Sequence, residues 1–356
     1  DYLNSTSVTA KAGVLIDLPR INYDANGENG ALLLEPSRQQ LITQSEYFNS
    51  SYWIKGGSPT VSVTDNAGIS PEGISNATRF VAASAATSTR LYTAITWTAV
   101  PHTLSLYVKN NGGTNKDFRF SYYDGSGQYF SPTFTITDEW QRIEYTFTPT
   151  ASSGGFWLVN TDTAGLNLDL LAYGAMLEQN ASYKSSYIPN HGTSGGVTRA
   201  ADVCNGGGSA ESINSVEGVL YGEISSLVNL NATPTTISIS DGTSTNFTEF
   251  RYDSTLNNLQ YYLVVGGVYH IATITNLTDI TDFLKVAIKW KVNDFAVWIN
   301  GVEVITATGA VWSANTLDRV NFTEPNGTNP FRGNTKQVAV FNEALSDSEL
   351  ATLTTL

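Results

Sequence analysis

The chain has 356 residues, beyond the ~250–300 at which a single core stops growing, so two domains of roughly 150–170 residues are expected. Charged residues make up only 14% and hydrophobic ones 41%, which excludes a disordered chain and leaves the polar surface to Ser, Thr, Asn and Gly. Nineteen Lys and Arg against 32 Asp and Glu give a net charge of −13, which argues against nucleic acid or an anionic membrane as a partner.

Short alternating apolar runs, frequent Gly and Asn breaks and almost no helical periodicity predict an all-β protein. At the start, Val14–Ile16 and Ala31–Leu34 are apolar patches flanking the loop Asp24–Gly30. Residues 1–36 therefore read as an N-terminal arm, either a strand pair on the first sandwich or an arm on another subunit. In the run 104–109, Leu104, Leu106 and Val108 share one face and Ser105, Tyr107 and Lys109 the other. The runs 118–123 and 142–147 repeat that alternation, the latter with Ile143, Tyr145 and Phe147 inward. The gaps between such runs are too short for crossover helices, so an antiparallel sandwich over 37–190 is expected.

Gly-rich stretches at 189–196 and 205–209 mark a boundary, and 191–207 reads as a linker. A second antiparallel sandwich over 208–356 follows. Leu284, Val286, Ile288 and Trp290 share one face of a strand against Lys285, Lys289 and Lys291. The run 295–299 then meets Asn300-Gly301, a two-residue hairpin turn in which both residues need positive φ. Ser346 to Glu349 is a capping box opening a short C-terminal helix with Leu350 and Leu353.

Several stretches carry a resemblance. Pro19–Tyr23, Leu32–Arg38, Leu41–Phe48 and Tyr52–Lys55, with Ser186–Pro189 and Thr198–Cys204, resemble the opening and linker of bacteriophage head-spike, tail-fibre and prophage structural proteins. Within that frame, Phe48–Trp53, Trp140–Phe147 and Leu171–Glu178 make residues 37–190 similar to the jelly-roll carbohydrate-binding modules attached to glycoside hydrolases. Phe295–Gly301 and Val340–Asp347 make 208–356 similar to laminin-G and concanavalin-like lectin sandwiches. The resemblance implies glycan binding by analogy, since one sandwich fold hosts many functions.

No catalytic constellation is expected. The carboxylate pairs a glycosidase needs, the nucleophile elbow and the phosphate loop are all missing, while Asp138-Glu139, Glu343 and Asp347 read as turn and helix-start residues. The single Cys204 permits neither an intrachain disulfide nor a cysteine zinc site, and His102, His191 and His270 stand far apart. No apolar run approaches ~18 residues. The chain opens at Asp1 without a basic-then-apolar segment and reads as a mature product or a shortened chain. Calcium is common in both resembled families, which admits a structural Ca²⁺, with only the scattered Asp169, Asp241 and Asp253 as ligands; no other cofactor is expected.

Binding has better support. A glycan site wants exposed aromatics beside polar side chains, and 18 Tyr and seven Trp exceed what two cores need. Strand parity puts Tyr107, Arg119, Tyr123 and Trp157 opposite the core residues of their strands, with Tyr107, Tyr123 and Arg119 on one side as a platform with a cationic rim. Trp298 has the same parity in the second sandwich, with Tyr261-Tyr262 and Trp312 as weaker candidates. The expected protein is a non-enzymatic virion-surface fibre or spike that attaches to glycans of a host or matrix. It would sit beside other virion proteins as a homotrimer, with the exposed Val14–Ile16 and Leu32–Leu34 patches favouring assembly. Two alternatives stay open: a purely structural decoration protein, and the binding part of a secreted polysaccharide-degrading enzyme.

Overall fold

The architecture comes from a computed structural model that describes residues 19–23, 27–58, 60–82, 87–160 and 168–356. Among these residues the protein is all-β, with 27 strands, every strand pair antiparallel, and one helix at the C-terminal end. The strands form two sandwich units, one of Ser37–Ala200 and one of Leu18–Pro36 with Ala201–Leu356.

In the first unit a five-stranded sheet runs in the order Gln128–Phe130, Ser121–Tyr123, Ser153–Asn160, Thr87–Thr96, Ile54–Ser58. Facing it, the second sheet runs Gln141–Phe147, His102–Asn110, Leu168–Gln179, Arg38–Gln40, Val197–Arg199, with Ala77–Ala82 and Ser62–Gly68 added beside the start of Leu168–Gln179. Alternation drives the packing: Leu104, Leu106 and Leu170 from this sheet meet Leu91, Phe156 and Leu158 from the other in one buried cluster. Each such side chain contributes about 1.5–3 kcal/mol on burial. The inward parity expected for Phe118, Phe120, Tyr122, Ile143 and Phe147 is observed, although 118–123 breaks into two strands, Lys116–Phe118 and Ser121–Tyr123.

The second unit pairs a seven-stranded sheet with a six-stranded one. Leu284, Val286, Ile288 and Trp290 enter its core with Phe295, Val297 and Ile299. Asn300 and Gly301 both have positive φ, 49° and 81°, as the hairpin turn requires. The helix Asp347–Thr354 starts on the full capping box of Ser346 and Glu349 and buries Leu350.

Two expectations are corrected. The segment before Pro36 is not a separate arm: Arg20–Asn22 pairs with Ala31–Leu34, which pairs with Gly333–Phe341 and so extends the seven-stranded sheet of the second unit. Leu34 joins that core, and the Arg20 guanidinium binds the carboxylates of Glu35 and Asp202. The Leu32–Leu34 patch is therefore used within its own unit and offers no argument for a trimer; Val14–Ile16 lies outside the described residues. Nor is 191–207 a plain linker. It holds Val197–Arg199, paired with Arg38–Gln40 in the first unit, and Asn205–Gly207, paired with Arg319–Asn321 in the second.

Candidate functional site

The outward row of the five-stranded sheet carries the site. Register sets Ile54, Tyr92, Trp157, Ser121 and Phe130 side by side across the five strands. Tyr123 stands in the next outward row beside Gly155 and Gln128, and Arg90 in the row on the other side of Tyr92 and Trp157, beside Gly56. Their sequence neighbours Leu91, Tyr122 and Phe156 point into the core. Trp157 stacks on Tyr92 with centroids 5.7 Å apart, and Tyr123 meets it edge to face at 6.5 Å. Trp157 is 8% exposed and Tyr123 40%, so the indole is a floor and the phenol an open ring. The guanidiniums of Arg90 and Arg119 lie over Tyr92 and Phe130, 5.6 Å and 4.1 Å from the ring centroids.

Two local devices hold Tyr123. Its carbonyl accepts from Trp97 Nε1 at 2.9 Å, a bond that needs Gly154, where an added Cβ would sit 1.8 Å from that carbonyl. Asp124 next in sequence ties the following turn: one carboxylate oxygen accepts from Ser126 and Gly127, the other from the Thr150 amide and hydroxyl. The Ser126 hydroxyl and the Thr150 amide hold that carboxyl well below the usual carboxylate range. The result is a fixed aromatic surface edged by guanidiniums and the Gln128 amide, which suits a ring that presents C–H faces and hydroxyls.

Arg119, Tyr123 and Trp157 are thus brought together, and Tyr107 is not. Tyr107 belongs to the opposite sheet, packed against Tyr173 and Tyr187 at 6.2 and 6.4 Å with the Arg142 guanidinium 5.2 Å over its ring. Parity correctly sends it away from the core. The outer faces of a sandwich point in opposite directions, however, so it cannot join Tyr123 in one platform. Trp298 is corrected too: it does lie opposite Phe295, Val297 and Ile299, but it is 8% exposed in a cluster with Tyr221, Ala296 and Leu350, where the C-terminal helix packs. It does not line an open groove. Tyr261 and Trp312 are core, and Tyr262 lies on the outer face with Arg251 4.8 Å over its ring.

Sequence reasoning missed Tyr92 and Arg90. The signal was present in Arg90–Ile95, where Leu91 and Ile95 face inward and leave Arg90 and Tyr92 outward. It also missed a buried cluster on the other sheet of this unit, where Glu46 accepts from Tyr187 at 3.0 Å and Tyr173 at 3.3 Å and lies 2.9 Å from His191. Burial pushes both phenols up, as it pushes His102 down beside Trp97 and Phe147. Among the described residues no group of three or more His, Cys, Asp or Glu is placed to hold a metal ion. Asp169 is bound by Arg79 and Asn111, and Asp241 by Thr243 and Asn246.

No protein-family model matches the chain, and no curated protein sequence does. Among solved structures it is similar to the CBM40 of Ruminococcus gnavus IT-sialidase, at 16% identity over 44% of this chain and 96% of that one, with a TM-score of 0.36. A Clostridium thermocellum xylanase 10B fragment with CBM22-1 and GH10 modules matches at 15% identity over 44% of this chain and 30% of that one, TM-score 0.30. Domains LG4-5 of the mouse laminin alpha1 chain match at 6% identity over 75% of this chain and 91% of that one, TM-score 0.28.

Proposed function

We propose that this protein is a non-enzymatic glycan-binding appendage of a bacteriophage virion, displayed on the virion surface for attachment to a host or matrix. The observation that carries the glycan part is the outward aromatic group of Tyr92, Trp157 and Tyr123, with Arg90 over Tyr92 and Arg119 over Phe130 beside it. Such rings bind sugars by stacking, on the order of 1 kcal/mol each, so single-site affinity is weak and repeated copies supply avidity. The virion setting rests on the sequence resemblance, and with it the expected homotrimer and the other virion proteins as neighbours.

A glycan array probed with the full chain and with Tyr123→Ala and Trp157→Ala tests the reading. Binding that both substitutions weaken while the fold survives supports it. An array on which the intact chain binds nothing overturns it and leaves a structural decoration protein, and release of shortened oligosaccharides would point to the enzyme alternative.

A further inference from the structure

We propose that the sugar recognised by the five-stranded face is acidic, a glycan bearing carboxylate or sulfate groups; this rests on the glycan reading above. In a chain of net charge −13, none of the five strands of this sheet contains an Asp or Glu. Its outer face instead carries Arg90, and Arg119 lies over its Phe130.

Arg90 is the telling group. Elsewhere in this unit arginines are spent on carboxylates or carbonyls: Arg79 on Asp169, Arg142 on the Ser185 carbonyl, Arg199 on the Ser186 carbonyl. Arg90 makes no such bond to a described residue; its Nε, like those of Arg142 and Arg199, is buried without an acceptor. Its side chain crosses Gly56, where a Cβ would meet Nε at 2.9 Å, so the absent side chain at 56 lets the guanidinium lie along the sheet over Tyr92. The Trp157 Nε1–H, buried on the same face, also lacks an acceptor. The strands of this face thus carry donors and no acidic residue beside a stacking surface. A neutral sugar offers Arg90 hydroxyl acceptors, whereas an anionic group offers a charge-assisted bond about twice as strong.

The test uses the full chain in EDTA, so that no divalent ion bridges two anions. Polygalacturonate, alginate and sulfated and sialylated oligosaccharides are compared with the methyl-esterified, desulfated or neutral counterpart of each. The expected result is acidic forms bound about tenfold or more tightly than their neutral partners, with affinity falling as salt rises. Arg90→Gln should remove that preference without lowering the melting temperature, whereas Tyr123→Ala should weaken both forms in parallel. Equal affinity for acidic and neutral partners, still dependent on Tyr123, would overturn the acidic assignment and leave the glycan reading standing. Binding to no glycan of either kind would overturn both. A preference for acidic forms unchanged in Arg90→Gln would move the cationic determinant elsewhere and overturn the role of this face.

Discussion

Tyr92 and Trp157, 65 residues apart in sequence, stack at 5.7 Å with their planes 25° from parallel because the strands Thr87–Thr96 and Ser153–Asn160 place them in direct register. A β-bulge follows at once, between Trp157 and Val159, so the register that aligns the two rings shifts just past the tryptophan.

Tyr123 and Tyr107 separate binding from packing. Tyr123→Ala should weaken glycan binding several-fold and leave the melting temperature nearly unchanged, since the ring is 40% exposed. Tyr107→Ala should do the reverse, costing on the order of 1–3 kcal/mol through lost contacts with Tyr173, Tyr187 and Arg142. Affinity and thermal unfolding measured on both variants decide this; a Tyr107→Ala chain that folds normally and loses binding would reassign the site to the other sheet.

Gly154 is required by what lies above it. Gly154→Ala would drive a methyl group into the Tyr123 carbonyl, breaking the bond from Trp97 Nε1 and shifting Tyr123. Lower stability and weaker binding are expected together, visible as a lower melting temperature and altered tryptophan fluorescence.

Trp298→Ala should destabilise the second unit by about 3–5 kcal/mol, the usual cost of emptying a buried tryptophan site. The helix Asp347–Thr354 loses its packing surface, so protease cleavage near the C-terminal end should accelerate while glycan binding at the face of the first unit is retained. Lost binding with intact stability would restore Trp298 as a ligand residue.

Glu249 makes the second unit sensitive to pH. Burial pushes its carboxyl up to about 8, with Arg251 opposing and Glu324 adding to the rise. The folded state therefore holds this proton more tightly than the unfolded chain. Its stabilising contribution is complete below the unfolded value of 4.5, is lost as pH rises towards about 8, and does not change further above that. Glu249→Gln should flatten this slope and be the more stable form above pH 8. Melting curves of the two proteins across this window test it, and parallel pH profiles would show that Glu249 is ionised in the fold.

The segment before Pro36 is a working part of the second unit. A chain of residues 201–356 lacks two strands and the Arg20 partner of Asp202, and it opens the core beside Leu34. It should melt lower or aggregate, and a peptide of residues 19–36 added in trans should restore it. Unchanged stability of 201–356 would show that the pairing contributes little.

Alternation and turn chemistry determined the fold class by themselves. Period-two runs such as 104–109 and 284–290 assign core and outer faces locally, and Asn300-Gly301 and the Ser346 capping box mark a hairpin and a helix start within four residues. Parity was also right for every proposed site residue on a named strand: Tyr107, Tyr123, Trp157 and Trp298 all point away from their cores. What parity does not carry is which sheet a strand joins and what covers its outer face, because both follow from contacts between residues distant in sequence. Parity alone therefore groups Tyr107 with Tyr123 across a whole sandwich and leaves Trp298 open where a helix beginning about 50 residues later covers it, and Ala31–Leu34 carries no local sign of pairing with Gly333–Phe341. The cluster of Tyr92, Trp157 and Tyr123 exists only once three strands from separate stretches of chain lie in register. Backbone pairing at a distance decides it, and local propensity has no access to that information.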